Sequence, residues 1–277
     1  MVELLKIILL GIIEGVTEWL PVSSTGHMLL VDEFIRLNAS KEFKDVFFIL
    51  IQLGAILAVI VLFFGKMWPF KRKNSEIPGD TIFKKNTWMI WFKVVVACIP
   101  GAVVTLLFDD LVDEYLETPV IIAIALVFYG ILFIVIENWN KKRVPVVASI
   151  DEITFKQAFV IGLFQVLSII PGTSRSGATI IGALIIGISR VAAAEFTFFM
   201  AVPVMVGYSL LKLIKYGFAF STTEYLYLGL SMVVAFDTSI LVIKFLMGYI
   251  KKHDFKFFGY YRIVLGIMIL LYFLIIK

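Results

Sequence analysis

Two short polar segments interrupt an otherwise apolar chain, at corresponding places in its two halves. The first reads Glu14-Gly-Val-Thr-Glu-Trp-Leu-Pro-Val-Ser-Ser-Thr-Gly-His27, and the second reads Gln165-Val-Leu-Ser-Ile-Ile-Pro-Gly-Thr-Ser-Arg-Ser-Gly-Ala-Thr179. We name them the first and second cassettes. Their prolines, Pro21 and Pro171, are 150 residues apart, and we expect the cassettes to align at that shift. Polar and ionisable residues are costly at membrane depth and mark functional sites, so the pair indicates one site built from both halves.

The composition predicts an integral membrane protein. Of 277 residues, 61% are hydrophobic, well above the share in soluble domains. The net charge of +4 is small, and the chain has too few clustered basic residues for a nucleic-acid footprint. Such an excess is typical of basic cytoplasmic loops. We therefore expect one membrane domain over residues 1–277.

The apolar pattern predicts an all-α fold with six transmembrane helices and two re-entrant helical hairpins. A crossing helix needs about 20 apolar residues. Six segments meet that length: 45–64, 88–107, 119–137, 190–211, 225–246 and 259–276. Regions 2–37 and 155–188 are interrupted by Pro, Gly, Ser and charged residues. Broken helices at this depth need cover from protein or from a wet cavity, so we predict hairpins with the cassette turns at their tips.

The two halves are predicted to be repeats of opposite topology, 1–140 and 151–277. Each holds one hairpin and three crossings, and an odd number of crossings inverts the second half. Loops 65–87 and 138–156 are rich in Lys and Arg and are predicted to be cytoplasmic, whereas loop 108–118 is acidic and is predicted to lie outside. Gly130 and Gly266 are expected to be equivalent in the last crossing of each half.

The first cassette contains candidates for metal binding and for proton transfer. Glu14 and Glu18 lie four residues apart, so a helix would place both on one face. Neighbouring carboxylates repel unless a proton or cation lies between them, and Mg²⁺ with substrate phosphate oxygens would satisfy that need. The alternative is that one glutamate pairs with a basic residue. His27 is a candidate nucleophile or general acid–base, and its alternative is a hydrogen-bonded core histidine.

The second cassette contains a predicted phosphate clamp. The guanidinium of Arg175 offers a rigid fork of donors that matches phosphate oxygens. Ser174, Ser176 and Thr179 would add hydroxyl donors, and a helix beginning near Gly177 would direct its positive end at the same anion. The alternative is that Arg175 only neutralises one of the two glutamates. Together the cassettes favour phosphate chemistry on a membrane lipid.

These cassettes closely resemble the bacterial undecaprenyl-diphosphate phosphatases of the bacitracin-resistance family. The resemblance extends over nearly the whole chain and includes Ile51-Gln-Leu-Gly-Ala-Ile-Leu-Ala, Ala194-Glu-Phe-Thr-Phe and Tyr260-Tyr-Arg-Ile-Val-Leu-Gly. It implies hydrolysis of the polyprenyl diphosphate lipid undecaprenyl diphosphate to undecaprenyl phosphate and inorganic phosphate. That reaction recycles the lipid carrier of cell-wall synthesis.

The resemblance also implies a cofactor, a location and site residues. It implies a divalent cation, Mg²⁺ or Ca²⁺, with Glu14 and Glu18 as metal ligands, and a bacterial cytoplasmic membrane protein whose site opens to the outer side. The catalytic residues would be Glu14, Glu18, Ser24, His27 and Arg175. The substrate-binding residues would be Ser23, Thr25, Ser174, Ser176 and Thr179. Whether Ser24 or His27 is the nucleophile stays open.

The alternative function is a polyprenyl-phosphate flippase or secondary transporter. Broken helices that meet at the membrane midplane are typical of transporters, and a pure transporter would release no inorganic phosphate. The oligomeric state is also open, with a homodimer as one expectation. Asp237 stands in the crossing 225–246 without an obvious partner, and either it faces the bundle interior or it is peculiar to this chain.

Overall fold

The computed structural model describes residues 2–35, 37–71, 82–217 and 220–276, without the side chains of residues 41, 42, 45, 109–114, 216 and 276. This part of the chain is almost entirely helical, which confirms the predicted all-α membrane class. Its α-helices are α1 (Val2–Thr17), α2 (Ser24–Phe34), α3 (Lys41–Leu62), α4 (Phe64–Met67), α5 (Lys85–Tyr115), α6 (Pro119–Asn140), α7 (Phe155–Val166), α8 (Arg175–Ile185), α9 (Arg190–Tyr216), α10 (Thr222–Tyr249) and α11 (Lys256–Leu271).

Each cassette forms the turn between two short helices that pack against each other. The pairs are α1 with α2 and α7 with α8, as predicted for the two hairpins. The residues that precede α2 and α8, Ser23 and Ser174, have positive φ angles of 73° and 71°. Each hydroxyl accepts a hydrogen bond from the backbone N–H three residues later, at Gly26 and Gly177. A non-glycine residue in this region is uncommon and is often found at functional sites.

The two hairpin tips have the same cap geometry but differ in length by one residue. Ser23 and Ser174 are 151 residues apart, so the predicted shift of 150 is wrong beyond the prolines. The longer tip contains Gly172, which has a φ of +90°. A Cβ at this position would lie 2.5 Å from the carbonyl oxygen of Ile122 in α6. Only glycine combines this conformation with so close an approach.

Five described helices are long and apolar enough to cross a membrane. They are Lys85–Phe108 within α5, Pro119–Asn140, Arg190–Lys215 within α9, Thr222–Tyr249, and Lys256–Ile275, which extends α11. These coincide with five predicted crossings. The remaining one, 45–64, coincides with α3, whose described apolar part is the shorter stretch Val46–Leu62.

The predicted loop 108–118 is wrong in its bounds, because α5 continues as a helix to Tyr115. Residues 102–115 contain neither Pro nor Gly, so nothing in the sequence ends the helix there. The next helix begins after Thr118, whose side chain caps α6. The charged side chains of Asp109, Asp110, Asp113 and Glu114 lie outside the described part of the chain, as do Arg72 and Lys73 of the predicted basic loop.

The two halves contain equivalent close contacts between helices. Between α6 and α11, a Cβ at Gly130 would lie 2.7 Å from the carbonyl oxygen of Gly259, and one at Gly266 would lie 2.7 Å from that of Ala123. Gly266 lies 136 residues after Gly130, and Gly259 lies 136 residues after Ala123. The repeat shift of 136 residues therefore relates one contact to the other. The first helix of each hairpin also packs against a long helix of the other half, α1 against α10 and α7 against α5. The repeat bounds 1–140 and 151–277 stay a prediction.

Candidate active site

The two hairpins meet at an ion pair between Arg175 and Glu18. Arg175 is the first residue of α8, and Glu18 directly follows α1. The Nη2 atom of Arg175 lies 2.9 Å from Oε1 of Glu18, and the hydroxyl of Ser24 donates to Oε2 at 3.0 Å. The two charged side chains expose only 12% and 9% of their surface. Because a buried charge requires a partner, each hairpin depends on the other at this point.

A cavity of about 410 Å³ lies beside the ion pair. Seven of the ten predicted site residues line it: Glu18, Ser23, Ser24, Thr25, Ser174, Arg175 and Ser176. The cavity therefore brings a guanidinium, a carboxylate and several hydroxyl groups of both cassettes to one place. Hydroxyl and guanidinium donors of this kind suit a phosphate group.

The cavity also has an apolar wall. Val104 and Leu106 of α5 and Val204 and Leu211 of α9 line it together with the polar residues of the tips. A polar end and an apolar wall in one cavity suit an amphipathic ligand with an anionic head group and a hydrocarbon chain. The apolar wall could not be predicted from the cassettes, because α5 and α9 lie outside them.

His27 is near the first tip but does not line the cavity. Its Nδ1 atom lies 2.7 Å from the carbonyl oxygen of Ser23, and its Nε2 atom lies 2.7 Å from the hydroxyl of Tyr261 in α11. The imidazole also stacks on the Tyr261 ring, with centroids 5.6 Å apart. Both ring nitrogens of this half-buried side chain therefore have hydrogen-bond partners.

Thr179 is fully buried and does not line the cavity either. Its hydroxyl donates within α8 to the carbonyl oxygen of Arg175 at 3.0 Å and lies 2.9 Å from the hydroxyl of Thr197. Arg175 contacts the same part of α9, because its Nη1 atom donates to the Thr197 carbonyl oxygen at 3.3 Å. The position of Thr179 suits a residue that fixes α8 against α9 behind the guanidinium.

Glu14 is 1% exposed, and its Oε1 atom has no hydrogen-bond partner among the described residues. An orphaned carboxylate oxygen is costly to bury, and a cation one helical turn from Glu18 would satisfy it. The described chain contains no group of three or more His, Cys, Asp or Glu side chains that could hold a metal ion. The two glutamates therefore fit a divalent ion only if another molecule supplies further oxygens.

Arg262 of α11 is a site residue that the sequence reasoning missed. It is fully buried, and its Nη1 atom donates to the carbonyl oxygen of Pro21 at 3.2 Å. Its Nη2 atom donates to the carbonyl oxygens of Gly172 and Thr173 at 2.9 and 2.8 Å. One guanidinium thus binds the tips of both hairpins. An arginine inside an apolar crossing is the signal that would have identified it.

Gln165 is a second residue without a predicted role. It belongs to the second cassette, lines the cavity and is 4% exposed. Its Oε1 atom has no partner within the described structure. A Cβ at Gly101 in α5 would lie 2.8 Å from its Nε2 atom, so α5 confines the amide. A buried acceptor without a partner in a cavity indicates a contact that a ligand or water completes.

Asp237 does not face the bundle interior. Its side chain is exposed on α10, on the same helical face as Val233 and Leu241, which are 58% and 69% exposed. The next residue, Thr238, packs inward, since a Cβ at Gly15 of α1 would lie 2.7 Å from the Cβ of Thr238. The structure contains no feature that explains an acidic side chain at this point.

Fold and site together define a multi-pass helical membrane protein with a partly buried cavity between two broken-helix hairpins, where an arginine, a glutamate and several hydroxyl groups meet. The family model described as "Bacitracin resistance protein BacA" matches residues 7–268. The chain belongs to this family.

Similar curated proteins match over almost their full length. A protein of Enterococcus faecalis named undecaprenyl-diphosphatase is 64% identical over 98% of this chain and 97% of its own. Proteins of the same name from Lachnoclostridium phytofermentans and Acetivibrio thermocellus are 58% and 55% identical over the whole of this chain. They cover 99% and 100% of their own lengths.

Proposed function

We propose that this protein hydrolyses undecaprenyl diphosphate to undecaprenyl phosphate and inorganic phosphate in a bacterial membrane. The observation that carries the proposal is the ion pair between Arg175 and Glu18 at a cavity with a polar end and an apolar wall. The name shared by the full-length relatives supports the same reaction. The activity is that of a phosphoric anhydride hydrolase.

Binding of the diphosphate would exchange one partner of Arg175 for another. The guanidinium would transfer its hydrogen bond from Glu18 to an oxygen of the terminal phosphate, and the hydroxyls of Ser174 and Ser176 would add donors. The first residues of α8 contribute the positive end of a helix. These fixed donors stabilise charge on the phosphoryl group as it transfers, which is where most catalysis of this reaction lies.

Ser24 is the nucleophile that the geometry favours over His27. Its hydroxyl lines the cavity and already donates to Glu18. In the proposed reaction, Oγ of Ser24 forms a bond to the terminal phosphorus while the bond to the bridging oxygen breaks and undecaprenyl phosphate leaves. The hydroxyl proton passes to Glu18. A water oxygen then bonds to phosphorus while the bond to Oγ of Ser24 breaks, which releases inorganic phosphate. A water proton restores the Ser24 hydroxyl, and Glu18 releases its proton to solvent.

The proposed cofactor is Mg²⁺ or Ca²⁺ at Glu14 and Glu18. The unpartnered Oε1 of Glu14 supports it, and diphosphate oxygens would complete the ligand set. A divalent ion supplies charge neutralisation to the bound diphosphate. Glu14 and Glu18 would hold the ion, and Glu18 would also keep its hydrogen bond from Ser24.

We also propose that the cavity opens to the outer side of the cytoplasmic membrane. Glu117, at the end of the predicted outer loop 108–118, lines it. Leu211 also lines it, at the end of the predicted crossing 190–211, which begins on the side of the cytoplasmic loop 138–156. Accessibility of single cysteines to an impermeant thiol reagent in whole cells would test the side. The homodimer stays a prediction, which light scattering of the purified protein would test.

Release of inorganic phosphate by the purified full chain in detergent tests the function. We expect release from undecaprenyl diphosphate with Mg²⁺ or Ca²⁺ and a severe loss with Arg175→Ala. A transporter that only moves its lipid would give no release under any metal condition, and that result would reject the proposal. The names of the relatives do not favour the transporter.

A further inference from the structure

A second cavity, of about 710 Å³, lies at the opposite end of α8 from the active-site cavity. Its wall is formed by the end of α6, the segment after it, the end of α8 and the start of α9. The two cavities share no lining residue. Since α8 has 11 residues, its two ends are separated by about 16 Å. The second cavity therefore has no part in the site described above.

Basic side chains dominate the wall of this cavity. Lys141, Arg143 and Arg190 line it, and Glu137 is its only acidic residue among the described lining. Glu137 is buried and already satisfied, because Nε and Nη2 of Arg190 both donate to its carboxylate and the backbone N–H of Phe255 donates at 3.0 Å. The cavity therefore has a net positive charge and no free carboxylate to repel an anion.

Two of the three bases are available for a ligand. Lys141 and Arg143 are exposed, and neither forms an ion pair within the part of the chain that the structure describes. The guanidinium carbon of Arg143 lies 3.7 Å from the ring centroid of Trp139. Such stacking orients the guanidinium and leaves its edge N–H donors free. Trp beside Lys and Arg is typical of the level of lipid head groups.

Apolar side chains at the same cavity add a surface for hydrocarbon. Val144 and Val146 line it and are 87% and 82% exposed, the two highest values among the exposed large hydrophobic residues. Water alone would not favour such exposure. We propose that this cavity binds the phosphate head group of an anionic phospholipid through Lys141, Arg143 and Nη1 of Arg190, the terminal nitrogen that does not bind Glu137, with an acyl chain against the two valines.

Lipid retention by the purified full chain in detergent tests the proposal. Native mass spectrometry would count phosphatidylglycerol and phosphatidylcholine bound to the wild type and to the variant Lys141→Ala/Arg143→Ala. We expect selective retention of phosphatidylglycerol, and about tenfold weaker retention in the variant because two charges near the head group are removed. The matched control is Lys251→Ala/Lys252→Ala, which removes two exposed lysines outside the cavity. It should retain the lipid as the wild type does.

Two further arms make the outcome decisive. The Lys141→Ala/Arg143→Ala variant should release phosphate from undecaprenyl diphosphate at the wild-type rate, which verifies its fold. Inorganic phosphate should compete with phosphatidylglycerol only weakly, since it lacks the acyl chain. The proposal is overturned by equal retention of phosphatidylglycerol in variant and wild type, by equal retention of phosphatidylcholine, or by binding of inorganic phosphate alone.

Discussion

Nη1 of Arg262 lies 3.2 Å from the carbonyl oxygen of Pro21, although the two residues are 241 positions apart. The same guanidinium binds two carbonyl oxygens in the other hairpin tip. Neither tip is a regular helix, so these carbonyls have no helical donor and would otherwise be buried unpaired. A residue of the last crossing therefore holds both halves of the active site in register.

Replacement of Arg262 by Met should therefore impair folding and catalysis together. Three buried carbonyl oxygens lose their donors, and we expect a loss of about 3 kcal/mol in stability. Arg262→Lys should recover only part of it, because an ammonium group lacks the planar fork that spans both tips. Thermal unfolding and phosphate release would be measured on each variant, with Tyr260→Phe as the exposed control on the same helix. Wild-type kcat in Arg262→Met would contradict the role.

Arg175→Ala should abolish phosphate release, with a fall in kcat/KM of about a thousandfold or more. Part of any accompanying loss of stability would come from leaving the Glu18 carboxylate buried without its partner. The double variant Glu18→Gln/Arg175→Ala removes that charge and should recover thermal stability without recovering activity. Recovery of activity in the double variant would contradict both the phosphate-binding role of Arg175 and the proton-acceptor role of Glu18.

Ser24→Ala should prevent formation of a phosphoenzyme. We expect a fall in kcat of about a thousandfold or more, since the proposed nucleophile is removed. His27→Gln should keep measurable turnover, because an amide can replace the hydrogen bonds to Ser23 and Tyr261. Rapid acid quenching with labelled substrate, followed by mapping of the labelled residue, would compare the two variants. A label on His27 would reverse the assignment.

Much of this site could be predicted from the sequence, for a physical reason. Ionisable and hydroxyl residues beside Pro and Gly in an apolar chain break helices at membrane depth, and their burial forces the two segments to satisfy each other. The pairing of Arg175 with Glu18 follows from that requirement. The direction in which the His27 side chain points does not follow from that requirement, because it depends on the rotation of α2 and on Tyr261, 234 residues away. The additional residue at Gly172 likewise depends on the close approach of α6.

Glu14→Gln should weaken the dependence on metal without removing the fold. A neutral amide is a poorer ligand for a hard divalent cation than a carboxylate, so half-maximal activity should need about tenfold more Mg²⁺. Titration of phosphate release with Mg²⁺ and Ca²⁺ after treatment with a chelator would measure this. Glu3→Gln, at the start of the same helix and paired with Lys6, is the control and should leave the titration unchanged. An unchanged titration in Glu14→Gln would remove this residue from metal binding.

Gln165→Leu should separate stability from activity. The unpartnered Oε1 atom is a cost in the folded protein, so an apolar side chain of similar size should raise stability by about 1 kcal/mol. Loss of the acceptor should raise KM for undecaprenyl diphosphate, because Gln165 lines the cavity beside Arg175. Gly101→Ala provides an independent test, since its Cβ would displace the Gln165 amide without removing it.

If both variants keep the wild-type KM and Gln165→Leu is less stable, the amide has a structural partner and is not a substrate contact. If KM rises in both, the orphaned oxygen is an acceptor that the substrate or its water completes, which is the usual exchange of stability for function at a binding site.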